Sequence, residues 1–126
     1  MRTVALVDDQ EDFLFLVARY LKAWYRVACF SRAETAAEGI EALGPDLVIL
    51  DAHMPEVSGY EIRRRLRAQP RFAALPILFL SGSAFEEEGL GSETGATRFL
   101  LKPIEPEDLL RAVREILGDA PPRAES

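Results

Sequence analysis

The sequence is poor in cysteine, in positive charge and in long apolar runs. Its single cysteine, Cys29, can close no internal disulfide. That excludes a stapled secreted scaffold and makes a reducing compartment the easier reading. The apolar runs, such as Leu47-Val48-Ile49-Leu50, fall far short of the ~18 to 20 residues that cross a bilayer. The opening Met1-Arg2-Thr3-Val4-Ala5-Leu6-Val7 runs straight into acids, without a long apolar stretch or a small-residue cleavage site, so it is not read as a signal peptide. Fifteen Lys and Arg against 21 Asp and Glu leave a net charge of −6. A chain of this sign is poorly suited to gripping phosphate backbones or anionic lipid, and better suited to a cationic ligand or a basic partner surface. We expect a cytoplasmic protein with no direct nucleic-acid contact and no membrane insertion.

What is present is enough for one domain. With 126 residues, 48% of them hydrophobic, the chain can bury a full core. Short β-type runs, Thr3–Val7, Arg26–Phe30, Asp46–Leu50, Ile77–Leu80 and Arg98–Leu101, alternate with helix-period stretches. In the first helix Phe13, Val17, Tyr20 and Trp24 recur as an apolar stripe. The second and third open with capping-box spellings, Ser31-Arg32-Ala33-Glu34 and Ser58-Gly59-Tyr60-Glu61. The last begins at Glu105-Pro106 and stops at Gly118. A fourth helix is required by topology over 85–95, although Gly89, Gly91 and Gly95 weaken it. Strands separated by helices imply right-handed crossovers and a mostly parallel sheet covered on both faces. The expectation is an α/β, doubly wound, five-stranded parallel sheet with five helices over residues 1–118, followed by a disordered tail over 119–126. Arg63, Arg64, Arg65 and Arg67 are read as a solvated helix face, and Cys29 as core.

In an open parallel sheet, ligands collect at the carboxyl ends of the strands. Strand one runs into Asp8-Asp9, strand three into Asp51, strand four into Ser81 and strand five into Lys102-Pro103. Each of these alone is commonplace; four at one sheet edge are hard to credit to chance. Three carboxylates brought together must hold protons or a cation. Oxygen-only ligands suit Mg²⁺. A lysine and a hydroxyl beside the metal can hold a phosphoryl group, for which a carboxylate can be the nucleophile. Of the three, Asp51 is the best candidate for that role, since Asp8 and Asp9 share one loop.

These motifs resemble the receiver domain of two-component response regulators from Thr3 to about Leu117. The residues that carry the resemblance are Val7-Asp8-Asp9, Asp51-Ala52-His53-Met54-Pro55 with Gly59 eight residues after the aspartate, Ser81 after an apolar strand, and Gly95-Ala96-Thr97-Arg98-Phe99-Leu100-Leu101-Lys102-Pro103. The resemblance implies a flavodoxin-like sheet of order 2-1-3-4-5. It implies Asp51 as phosphoacceptor, and Asp8, Asp9, Asp51 and the backbone carbonyl of His53 as Mg²⁺ ligands. Ser81 matches the switch hydroxyl, Phe99 the switch aromatic and Lys102 the phosphate-contacting lysine, whose bond to Pro103 is usually cis in the family. Ser at 81 stands where Thr is commoner, and His53 occupies a variable position that can influence water access to the acyl phosphate.

The leading function is therefore a stand-alone switch. A histidine kinase or phosphotransfer protein phosphorylates Asp51, and a downstream protein reads the face made by the fourth helix, strand five and the fifth helix. Such a chain is no enzyme beyond its own phosphotransfer and dephosphorylation. A Mg²⁺-dependent phosphohydrolase with an aspartate nucleophile is the enzymatic alternative. It would want a second carboxylate where His53 stands, and a substrate cap for which there are no spare residues. A receiver fold used only as a binding scaffold is the third, and intact Asp8, Asp9, Asp51, Ser81 and Lys102 speak against it.

Overall fold

The computed structural model of the chain describes residues 1–82 and 98–119. The helix expected over 85–95 and, except for Asp119, the tail expected over 119–126 lie outside the described residues. In chain order the elements are β1 (Thr3–Val7), α1 (Glu11–Leu21), β2 (Arg26–Phe30), α2 (Ala33–Leu43), β3 (Leu47–Asp51), α3 (Gly59–Arg67), a 3₁₀ turn (Pro70–Phe72), β4 (Ile77–Ser81), β5 (Arg98–Leu101) and a C-terminal helix (Pro106–Ile116). Four of the five expected helices thus fall among the described residues. The strands pair in parallel in the order β2-β1-β3-β4-β5, the doubly wound arrangement that strand–helix alternation implies.

Alternation along the strands sorts side chains into two apolar layers. Leu6, Ile49, Leu78 and Leu80 meet α1 and the C-terminal helix. On the other face Val48, Leu50, Ile77 and Phe79 meet α2 and α3. β3 and β4 are buried over their whole length, as strands covered on both faces must be. This rigid centre holds the strand ends on which the site is built.

The strands reach one residue further than the apolar runs suggest. Ala52 N–H donates to the Leu80 carbonyl at 2.9 Å and Lys102 N–H to that of Ser81 at 2.7 Å, so Asp51 and Ser81 are the last residues of β3 and β4 rather than loop residues after them. α1 ends at Leu21, and its buried stripe is Leu14, Val17, Ala18 and Leu21. The turn that follows drives Tyr25 into the core and leaves Trp24 39% exposed, so Trp24 is not part of that stripe. The Ser58 side chain does cap α3, accepting from Glu61 N–H at 3.3 Å. Ser31 does not cap α2: Arg32 occupies the cap position and instead pairs its guanidinium with Glu34 at 2.9 Å. Cys29 is exposed rather than core, because β2 is an edge strand with incomplete cover. The arginines of α3 are not a uniformly solvated face. Arg65 forks onto Glu41 of α2 at 2.9 and 3.0 Å, and Arg67 donates to the Phe72 carbonyl at 2.8 Å. At the opposite end of the sheet, Asp119 accepts from the Tyr25 hydroxyl at 2.7 Å.

Candidate functional site

Asp8 follows β1 directly. Its N–H donates to the Phe30 carbonyl at 3.1 Å, and its Oδ1 accepts from Gln10 N–H at 2.9 Å, which ties the side chain back to the loop. It is fully buried, whereas Asp9 is exposed. Asp51 ends β3 with 6% exposure, and its Oδ1 accepts from His53 N–H at 3.2 Å. Lys102, just beyond β5, brings Nζ to 2.9 Å from Asp8 Oδ2 and 3.6 Å from Asp51 Oδ1. Ser81 ends β4, buried beside them. The Lys102–Pro103 peptide is cis, as the resemblance implies.

The three carboxylates present one oxygen each within 4.8 Å of one another. Among them stands a single ammonium, so the charges do not cancel. The imbalance falls on Asp51, whose pKa is pushed up to about 6, first by burial and then by the Asp8 carboxylate, with Asp9 adding to it; Lys102 and the His53 N–H oppose the rise. A cluster of oxygen donors with excess negative charge fits a hard divalent cation such as Mg²⁺. Asp8, Asp9 and Asp51 could hold it.

The loop after β3 keeps the site compact. The N-terminus of α3 packs so closely under the end of β3 that a Cβ on Gly59 would lie 2.3 Å from the Asp51 carbonyl oxygen. Gly59, visible in the sequence as a spacing, is thus a steric requirement. The loop also contains Glu56 at φ 71°, with Val57 N–H donating to the Pro55 carbonyl at 2.8 Å across it. That is a γ-turn of the rare positive-φ form.

Asp8, Asp9, Asp51 and Lys102 come together as read from the sequence, with Ser81 on the neighbouring strand end. Phe99 lies elsewhere: it is half-buried in the layer under α2 and α3 and stacks on its register neighbour Phe79 with centroids 5.2 Å apart. The His53 side chain is exposed, and its ring stands edge-on to Tyr60 at 6.2 Å. Tyr60 in turn packs on Phe79 at 4.8 Å. Four rings therefore run without a break from the loop beside Asp51 to β5. Tyr60 and Phe79 are not visible as a pair in the sequence, because only strand register and helix docking bring them together. Phe13 is likewise hidden there: its spacing reads as part of a core stripe, yet its ring lies 5.2 Å from Lys102 Nζ, a cation–π contact at the rim of the site.

Comparison with known proteins agrees with this geometry. The family described as response regulator receiver domain matches residues 4–114. The chemotaxis response regulator CheY4 of Vibrio cholerae superposes with a TM-score of 0.86 at 30% identity, covering 92% of this chain and 98% of that one. A putative response regulator from Chloroflexus aurantiacus superposes at 0.80 with 35% identity, covering 93% and 98%. Among curated proteins, the phosphate regulon transcriptional regulatory protein PhoB of Rhizobium meliloti is 36% identical over 121 residues, which is 94% of this chain and 53% of that protein. A probable cyclic di-GMP phosphodiesterase of Vibrio cholerae is 35% identical over 81% of this chain and 23% of its own length. The chain spans about a quarter to a half of these curated relatives.

Proposed function

We propose, since the chain belongs to the response regulator receiver domain family, that Asp51 accepts a phosphoryl group from the phosphohistidine of a histidine kinase or phosphotransfer protein. The phosphorylated chain then signals by altered protein–protein binding. The observation that carries this reading is the single lysine held between two carboxylates, Lys102 Nζ at 2.9 Å from Asp8 and 3.6 Å from Asp51. That cation stands at the strand ends, where a transferred phosphoryl oxygen needs one.

In the reaction an Asp51 carboxylate oxygen attacks phosphorus, the phosphorus–nitrogen bond of the donor breaks, and the imidazole leaves with a proton. The product is an aspartyl phosphate. His53 N–H fixes the rotation of the attacking carboxylate, and burial removes the water that would otherwise solvate it. Lys102 is released from Asp51 as the carboxylate becomes an acyl group and moves its contact to the new phosphoryl oxygens. The Ser81 hydroxyl donates to the same oxygens and draws the loop after β4 toward the site. Asp8, Asp9, Asp51 and the carbonyl of His53 would hold Mg²⁺, which supplies charge neutralisation between the carboxylates and the incoming phosphoryl group.

The output surface in this reading is β5 and the C-terminal helix together with the segment between β4 and β5, with Phe99 as the side chain that reports the change. Residues 1–118 form the receiver unit. Turnover of a small phosphorylated substrate finds no support in the site, where the position two residues after Asp51 is His53, with its side chain exposed.

The test is intact-mass spectrometry after treatment with acetyl phosphate and Mg²⁺. Wild type should gain one phosphoryl group, and none when chelator replaces Mg²⁺, and Asp51→Asn should gain none. Equal labelling of the two proteins would refute the assignment.

A further inference from the structure

Lys102 has a neighbour that carries no charge. Its Nζ lies 2.9 Å from Asp8 Oδ2 and 3.6 Å from Asp51 Oδ1, and among the described residues those two carboxylates are its ion pairs. The third neighbour is the face of the Phe13 ring, whose centroid is 5.2 Å from Nζ. This ring is not a loose surface group. Phe13 follows Glu11 and Asp12 in α1, is half-buried and packs against the apolar layer beneath that helix. The core therefore sets where the ring stands, while its face is turned to the ammonium. Glu11 and Asp12 are exposed, and neither pairs with Lys102.

We propose that Phe13 is a positioning residue for phosphoryl transfer, its ring holding the Lys102 ammonium where the phosphoryl oxygens need it. The proposal rests on Asp51 being the phosphoacceptor. During transfer the lysine must leave Asp51, as that carboxylate becomes an acyl group, and take up the phosphoryl oxygens without being lost to water. A carboxylate at position 13 would grip the ammonium through a directed bond and compete with the phosphoryl group for it. An aliphatic side chain there would offer it no attraction. An aromatic face attracts a cation through its quadrupole, with no donor–acceptor direction to break. The ammonium can thus swing from the carboxylates to the phosphoryl oxygens while the ring continues to hold it. The Lys102 side chain keeps 23% of its surface exposed, and a contact of this kind at a partly exposed cation corresponds to about a two- to fivefold effect on rate.

The experiment compares the full chain as wild type, Phe13→Leu, Phe13→Tyr and Asp51→Asn. Phe13→Leu keeps the apolar packing and loses the π face; Phe13→Tyr keeps both. One readout is the initial rate of phosphorylation by acetyl phosphate at saturating Mg²⁺, followed by intact mass. The other is the proton NMR shift of the Lys102 ε-methylene in the unphosphorylated protein, which reports the ring directly and which a role in packing alone would not move. Wild type and Phe13→Tyr should show that resonance displaced upfield by the ring, and Phe13→Leu should return it to its ordinary position. Phe13→Leu should be phosphorylated about two- to fivefold more slowly than wild type, with its Mg²⁺ affinity unchanged because the carboxylates are untouched. Phe13→Tyr should restore the wild-type rate. A Phe13→Leu rate equal to wild type, a Phe13→Tyr rate as low as that of Phe13→Leu, or a Lys102 resonance indifferent to the ring would each overturn the proposal. Asp51→Asn separates these outcomes from failure of the reading beneath them. If it is labelled like wild type, Asp51 is not the acceptor; if it takes no label and Phe13→Leu still reacts normally, only the role of the ring is refuted.

Discussion

At the scale of single residues, the tension in the site lies on Asp51. Folding raises its pKa to about 6 through burial and the neighbouring Asp8 charge, while the unfolded carboxyl titrates near its ordinary value of about 3.9. Between these values the folded chain binds more proton than the unfolded one, so stability falls as pH rises through the window from about 4 to 6 and stays reduced above it. Every tenfold gain in proton affinity on folding corresponds to about 1.4 kcal/mol of stability lost once the proton has left. Asp51→Asn should therefore melt several degrees higher than wild type at neutral pH in chelator, and at the same temperature as wild type below about pH 4. Asp8→Asn should behave differently, because Asp8 is the nearest anion to Lys102, at 2.9 Å. Removing its charge should bring a loss of about 1–3 kcal/mol rather than a gain. Millimolar Mg²⁺ should raise the wild-type melting temperature and leave that of Asp51→Asn nearly unmoved. Thermal melts at two pH values, with and without Mg²⁺, check all three expectations.

At the scale of elements, the β3–α3 connection sets how Asp51 is held. A Cβ on Gly59 meets the Asp51 carbonyl at 2.3 Å, and backbone does not give way as a side-chain tip would. Gly59→Ala should push the first turn of α3 off the end of β3, lower stability by about 1–3 kcal/mol and slow phosphorylation by acetyl phosphate. Glu56→Gly should act in the opposite direction. It removes the strain of a positive φ at a non-glycine, and against the extra unfolded-state freedom of glycine the net gain is about 0.5–1 kcal/mol. Urea midpoints of the two variants, measured side by side, test both signs. Strand positions and the five chemical residues at their ends were legible from the sequence because they obey local rules: apolar runs, polar groups at run ends, a capping Ser58. The γ-turn at Glu56 was not legible, since nothing in Pro55-Glu56-Val57 favours a positive φ. The Ser31 cap was legible but wrong, because α2 starts at Ala33 and so places Arg32, not Ser31, at the cap position. Trp24 fitted a helical period that the backbone abandons at Leu21.

At the scale of the whole molecule, the question is how an event at one end of the sheet reaches its far edge. The two apolar layers are separated by β3 and β4, so a change on the carboxylates has few routes into the layer that contains Phe99. Ser81 is one, since it shares a strand face with Phe79 two residues away. The ring column His53–Tyr60–Phe79–Phe99 is the other, and it begins in the same loop whose N–H holds Asp51. Close packing makes such a column respond as a unit rather than ring by ring. Phe79→Leu keeps an apolar side chain of similar bulk at a stability loss of about 1 kcal/mol, but removes the ring that joins Tyr60 to Phe99. Wild type treated with beryllofluoride and Mg²⁺ should show altered hydrogen exchange at the start of α3 and across 98–104. In Phe79→Leu the change at α3 should persist, phosphorylation by acetyl phosphate should remain near wild type, and the change across 98–104 should shrink to less than half. If the variant transmits the full change to β5, Ser81 alone carries the signal and the ring column is only core. A wild type that exchanges identically at 98–104 with the mimic bound would instead remove β5 from the output surface.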